Sequence, residues 1–419
     1  MKVAVVGGGS TYTPELADGF ARLADVLTVD ELVLVDPAAD RLDIVGRFAA
    51  RLFTHAGHRG RVRWTSDLDD GLDGAGAVLI QLRVGGQAAR ITDETFPLEF
   101  GCVGQETTGA GGLAKALRTV PVVLAIAEAA ARRAAPGAWI VDFTNPVGIV
   151  TRALLDAGHR AIGLCNVAIG VQRRFAGLLG VEPSTVVLDH IGLNHLTWVR
   201  AATVDGSDVL PKLLLDHVAP LADGAGLPVD AVLRQGALPS YYLRYFYAHD
   251  AVVAEQRTTG TRGEEVARIE AELLSLYRDP ALRTKPELLS RRGGAYYSEA
   301  AIGLLASLAG GAPGPHAANV RNHGRLPFLD DDAVIEVTCD VSVDGVRPRS
   351  GLPLDPAQRG LVAHVSAYEE LALDAALRGG RERVYQALLA HPLVGQHELA
   401  DGLTNRLIAA NASYLAWAR

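Results

Sequence analysis

The stretch KVAVVGGGSTYTPE at positions 2–15 restricts this chain more than any other. Val3 to Val6 form an apolar run that ends in three glycines. Thr13 then offers an N-cap, Pro14 suits the first helical position and Glu15 places an acid in the first turn. The order is strand, tight turn, helix. The alternation continues: ELVLVD (31–36), AVLIQL (77–82), AWIVDFT (138–144) and RAIGLC (160–165) read as further strands, and a helix rich in Arg and Ala spans 40–54. Strands this apolar must be covered on both faces, which in a chain that alternates them with helices means a parallel sheet between helical layers. The expected class is α/β, a Rossmann-like parallel sheet over 1–190. A mixed, mainly helical second part follows over 191–419, with strands near 197–204 and 333–346.

Composition narrows the partners. The chain has 419 residues, 49% hydrophobic and 21% charged, enough for a large core. A formal net charge of −8 without basic runs speaks against nucleic acid or an anionic membrane surface as a partner. The apolar stretch 120–131 is interrupted by Pro121 and Glu128, so no membrane-spanning helix is expected. Cys102, Cys165 and Cys339 are odd in number and widely spaced, which suits reduced thiols and a cytoplasmic setting.

The glycine turn carries the first chemistry. Gly7 and Gly9 keep the first two glycines of G-x-G-x-x-G, while Tyr12 takes the third position. The turn opens a helix whose free N–H groups suit a pyrophosphate, so Gly7, Gly9, Ser10 and Thr11 are candidate nucleotide contacts. Asp36 ends the second strand, where an acid bonds a ribose 2′-hydroxyl and favours NAD over NADP.

A second group of polar motifs follows apolar segments on the same side of the sheet: GQETTGAGG (104–112), DFTNPVG (142–148), GLCN (163–166) and GLNHLTW (192–198). Taken singly, Asn145 before Pro146 suits a turn, His195 suits a structural hydrogen bond and Cys165 a buried thiol. Thirty residues between Cys165 and His195 is no recognised metal spacing.

In order along the chain, VVGGGSTYTPEL, QLRVGGQAARITDE, VGQETTGAGGLAKALRTVP, FTNPVGIVT, GLCNVAIG, GLNHLTW, LPSYYLRYFY and RRGGAYYSEAA resemble glycoside hydrolase family 4, most closely its 6-phospho-β-glucosidase branch. The resemblance implies a glycosidase that uses NAD and a divalent metal, typically Mn2+, instead of two carboxylates. In that route the sugar is oxidised at C3, loses a proton from C2, eliminates its aglycone, adds water and is reduced again. The resemblance further implies Cys165 and His195 as metal ligands and Tyr242 as the base, with Tyr241 the register alternative. Arg90, Asn145, Asn166 and Arg262 match substrate-contacting positions, and Arg291 and Arg292 are further unranked candidates. Asn166 stands where the α-specific branch has an aspartate, which favours β-linked substrates. Ala110 and Ala168 replace prolines common in the branch. The implied substrate is a phosphorylated disaccharide or aryl glycoside, and the implied assembly a homodimer or homotetramer. An α-linked or unphosphorylated substrate, an NAD-dependent hydroxyacid dehydrogenase and a silent NAD-binding sensor are the competing readings.

Overall fold

A computed structural model describes residues 1–418; Arg419, the last residue of the expected second part, lies outside them. The chain forms one thirteen-stranded sheet. Its strands are β1 (Lys2–Val6), β2 (Glu31–Val35), β3 (Arg61–Thr65), β4 (Ala77–Ile80), β5 (Trp139–Asp142), β6 (Ala161–Gly163), β7 (Val187–Leu193), β8 (Leu196–Val204), β9 (Ser207–Asp208), β10 (Leu238–Pro239), β11 (Gly314–Arg321), β12 (Val334–Ser342) and β13 (Gly345–Pro348). The spatial order is β10-β8-β7-β12-β11-β6-β5-β4-β1-β2-β3, with β13 beside β12 and β9 beside β8.

From β3 to β6 every pairing is parallel. Val3, Ala4, Val5, Leu32, Val33 and Leu34 are fully buried, each large apolar side chain contributing about 1.5–3 kcal/mol relative to exposure. The chain leaves β1 toward β2 and β3, then returns to β4 and runs the other way. The switch point is therefore the crevice beyond the carboxyl ends of β1 and β4, where ligands bind in open α/β sheets. Beyond β6 the sheet continues antiparallel through β11, joined at Asn319 and Gly163, so it crosses position 190 without a break.

Four of the expected strands stop one or two residues early. ELVLVD releases Asp36, AVLIQL releases Gln81 and Leu82, AWIVDFT releases Phe143 and Thr144, and RAIGLC releases Leu164 and Cys165. The released residues form the edge where the polar motifs gather. β3, β7 and β11 were not expected, nor were the short β9 and β10, and the strand expected near 333–346 divides into β12 and the antiparallel β13. β3 (RVRWT) is an edge strand whose Arg61 and Arg63 reach Glu31 on its neighbour, so it lacks an apolar run. β7 and β11 bury His190 and Asn319 at the Glu336 carboxylate, polar content that masks them as strands.

Two local expectations are corrected. Thr13 is the first residue of the helix Thr13–Arg22, not its cap, and Tyr12 takes the N-cap place. Pro121 and Glu128 do not interrupt the apolar stretch. The helix Gly109–Arg133 runs through both, and by length and composition it suffices to cross a membrane. It is instead largely buried in the core, where Arg118 pairs with Asp93 and Lys115 with Glu106.

Candidate active site

The glycine turn builds a cradle. Gly7 sits at φ +89°, a conformation that side chains rarely adopt, and a Cβ there would strike the Gln81 carbonyl. The N–H groups of Gly7 and Gly8 both donate to Val35 O at 2.9 Å, and Gly9 N–H donates to Asp36 Oδ2 at 3.0 Å. A cavity of about 860 Å³ opens beside it, walled by Gly7, Gly9, Ser10, Asp36, Arg41 and Glu270 among others. Thr11 was expected on this surface but is fully buried. Its hydroxyl donates to Glu270 Oε1 (3.1 Å) and accepts from Arg292 Nε (2.7 Å), so it supports the cradle from within.

A second cavity, of about 510 Å³, adjoins the first, and Ser10, Gln81, Leu82, Arg83 and Arg292 line both. Arg90, Asn145, Asn166, His195 and Tyr242, drawn from five sequence motifs, and Arg262, outside them, all face it. Asn145 Oδ1 is buried there without a partner, an acceptor left open for a ligand hydroxyl. Asn166 Nδ2 donates to Ala295 O at 3.0 Å. Arg262 is the first residue of the helix Arg262–Tyr277, whose start is fixed by a reciprocal capping box between Thr261 and Glu264. Its guanidinium pairs with Glu265 and donates to Arg291 O at 2.7 Å.

Arg90 is not a free cation. Its Nε lies 2.7 Å from Glu94 Oε1 and 3.2 Å from Glu106 Oε1. Glu106 also receives Arg83 and Lys115 Nζ, the latter at 2.7 Å. Burial works against the Glu106 charge, but Arg83, Lys115 and Arg90 hold its carboxyl well below the usual range. Lys115 is pushed down to about 8, by burial first, with Glu106 opposing. Three cations face two carboxylates in this cluster, which leaves one positive charge beside the cavity. Arg90 apart, nothing short of the fold singles these residues out, although a lone lysine inside a long apolar helix is a signal that it must find a buried partner.

His195 occupies the two-residue turn between β7 and β8 with φ +61°, a strained position for a residue with a side chain. Thr107 Oγ1 donates to Gln105 Oε1 and stands 2.9 Å from His195 Nδ1. A hydroxyl proton committed to Gln105 suits the tautomer that carries its proton on Nδ1 and leaves the lone pair on Nε2. Burial pushes the ring down to about 4, so it is neutral, as a ligand must be. Tyr242 stacks on the imidazole, with ring centroids 3.5 Å apart and planes 5° from parallel. Tyr241, the register alternative, is 42% exposed at the rim and accepts from Arg244 Nη1 at 2.7 Å.

Cys165 lies two residues past β6, buried, within hydrogen-bonding reach of the Asn194 and Tyr297 side chains. It is absent from the wall of the second cavity, which Tyr297 lines, and borders a separate small one instead. Burial, reinforced by the nearby Glu336 carboxylate, pushes the thiol well above its ordinary range. Such a thiol ionises when a cation compensates it, and a neutral imidazole with a free Nε2 is the complementary donor. Among the described residues no group of three or more His, Cys, Asp or Glu side chains is gathered for a metal. A cation here would keep positions open for a substrate, the mark of a catalytic site. The donor set fits a divalent metal. Ala110 and Ala168 fall in the first turns of Gly109–Arg133 and Val167–Leu179, so the missing prolines alter helix starts and not loops.

The chain matches two family descriptions: Family 4 glycosyl hydrolase over residues 2–181 and Family 4 glycosyl hydrolase C-terminal domain over residues 190–394. It is 36% identical to a probable 6-phospho-beta-glucosidase of Bacillus subtilis (strain 168), over 99% of this chain and 97% of the relative. The 6-phospho-beta glucosidase of Thermotoga maritima, solved with NAD and glucose-6-phosphate, is 33% identical with a TM-score of 0.92, covering 99% of both chains. A second structure of that enzyme, with manganese, NAD+ and glucose-6-phosphate, has a TM-score of 0.91 at the same identity and coverage.

Proposed function

Because the chain belongs to the family 4 glycosyl hydrolases, we propose that it hydrolyses 6-phospho-β-glucosides with NAD and a divalent metal, Mn2+ by likeness to the manganese-bearing Thermotoga maritima enzyme and not by ligand softness. The observation that carries this reading is the shared wall of the two cavities, Ser10, Gln81, Leu82, Arg83 and Arg292. It lets a sugar seated against His195 and Tyr242 meet a nucleotide seated on the glycine turn.

Gly7, Gly9 and Ser10 would cradle the nucleotide and Asp36 would face its ribose; bound NAD would supply a reversible hydride acceptor. Cys165 Sγ and His195 Nε2 would hold the cation, which supplies Lewis-acid polarisation of neighbouring sugar hydroxyls. Tyr242 Oη takes the proton from C2. Burial raises its phenol well above the ordinary value, with Cys165 adding to the rise and Arg90 opposing it, so the base depends on cationic support. Asn145 orients a hydroxyl with its open Oδ1. Arg262 at the rim, beside the net positive Arg83–Glu106–Lys115–Arg90 cluster, receives the 6-phosphate. Asn166 supplies no acid to the leaving group, in keeping with a β-linked aglycone. The three buried free thiols support a cytoplasmic setting.

The test is turnover of an aryl 6-phospho-β-glucoside in D2O with NAD+ and Mn2+ added or withheld. Cleavage should require both and leave deuterium at C2, and the unphosphorylated glucoside should be cleaved far more slowly. Cleavage without either additive and without deuterium would refute the mechanism, and stoichiometric NADH would point to a dehydrogenase.

A further inference from the structure

The segment 291–296 supplies one residue, Arg292, to the wall that the two cavities share and touches a second, Ser10. Arg292 lines both of them. Its Nε donates to Thr11 Oγ1 at 2.7 Å, and its Nη2 reaches Ser10 Oγ at 3.3 Å and Glu270 Oε1 at 3.0 Å. One side chain thus grips the glycine turn and the helix that closes the nucleotide cavity. The carbonyls beside it face the other way: Arg291 O accepts from Arg262 and Ala295 O accepts from Asn166, two residues on the sugar cavity. Between these anchors Gly293 and Gly294 stand at φ +94° and +91°. A Cβ on Gly294 would come within 2.7 Å of the Tyr12 ring, so the segment is pressed onto the turn.

The charges give the segment a reason to respond. Glu270 is shared by Arg292 and by Arg41, whose Nη2 lies 3.2 Å away and whose Nε donates to Gly9 O at 2.7 Å. A pyrophosphate on the glycine turn brings new negative charge beside these arginines and competes with Glu270 for Arg292. Any change in how Arg292 is held passes through one peptide to Arg291 O and through three to Ala295 O.

We propose that Arg292 and the segment 291–296 couple the two sites, so that a bound nucleotide fixes Arg262 and Asn166 for the sugar phosphate. Arg292 is a positioning residue in this scheme. The inference rests on the reading of the cavities given above and adds the communication between them.

The experiment measures the Kd of glucose 6-phosphate by calorimetry with and without saturating NAD+, Mn2+ being withheld so that no chemistry follows binding. The wild-type chain should bind the sugar phosphate at least about fivefold more tightly with nucleotide present, the lower range of ordinary site–site coupling. In Arg292→Met the ratio of the two constants should fall toward one, whatever happens to each affinity alone. Gly294→Ala, which displaces the segment without changing charge, should do the same. If Arg292→Met loses its near-UV circular dichroism, Arg292→Lys carries the test, because an ammonium cannot span Thr11 and Glu270 as a fork does. A ratio near one in the wild-type chain, or an unchanged ratio in the folded variants, overturns the coupling and leaves the functional reading intact. Failure of the wild-type chain to bind either ligand overturns both.

Discussion

At the scale of single residues, the His195–Tyr242 stack sets the proposed base against a proposed metal ligand, and each can be removed without the other. Tyr242→Phe keeps the ring and deletes Oη; turnover should fall by about 10²–10⁴ while the sugar phosphate still binds. Solvent deuterium exchange at C2 should vanish with it, and exchange at the wild-type rate would move the base elsewhere. Cys165→Ser should weaken Mn2+ binding by at least about tenfold, the scale that even outer-shell changes reach, with nucleotide affinity preserved. Equal loss of both together with unfolding would return Cys165 to the role of a packing thiol. The ordered motifs, not the spacing, raise Cys165 above a buried hydrophobe in the sequence. Thr107, Glu106 and Lys115 escaped sequence reading because their partners are set by tertiary structure. Thr107 meets His195 from 88 positions away.

Secondary-structure elements explain which parts of the fold were readable. β1, β2, β4 and β5 are buried on both faces and announce themselves as apolar runs. β3 is an edge strand and β7 and β11 carry buried polar side chains, so the same criterion passes over them. The helix Arg262–Tyr277 carries its own signature in T-R-G-E, the capping box that aims Arg262 at the cavity. Thr261→Ala should cost about 1 kcal/mol of stability, seen as a lower denaturation midpoint. It should also raise KM for the phosphorylated substrate more than it lowers kcat, because the change lies at the binding rim. A variant with an unchanged KM would detach the cap from substrate positioning.

For the whole molecule, one contribution to the pH response of stability comes from Asp142, at the end of β5 in the middle of the sheet. It is fully buried, with Oδ2 unpartnered. Burial, opposed by hydrogen bonds from Thr144, pushes its carboxyl up from 3.8 to about 8. The folded chain therefore keeps a proton that the unfolded chain releases above its ordinary value, and this contribution is full below that value and is lost as pH rises toward 8. Between pH 5 and 8 the melting temperature of Asp142→Asn should gain on that of the wild-type chain as pH rises, because the variant lacks this loss; parallel profiles would dismiss Asp142 as a contributor. The helix Gly109–Arg133 belongs to the same scale. Gly109 N–H donates to His391 Nε2 at 3.1 Å, and Arg118 Nη1 to Asn411 Oδ1 at 3.0 Å. A fragment of residues 1–190 should therefore aggregate on size-exclusion chromatography, where a soluble nucleotide-binding monomer would show the half to be independent. On the ribosome this greasy, charge-bearing rod emerges more than two hundred residues before the helices that cover it. The protein must wait for its own carboxyl end, and until then it is a client for whatever chaperone shields exposed apolar surface.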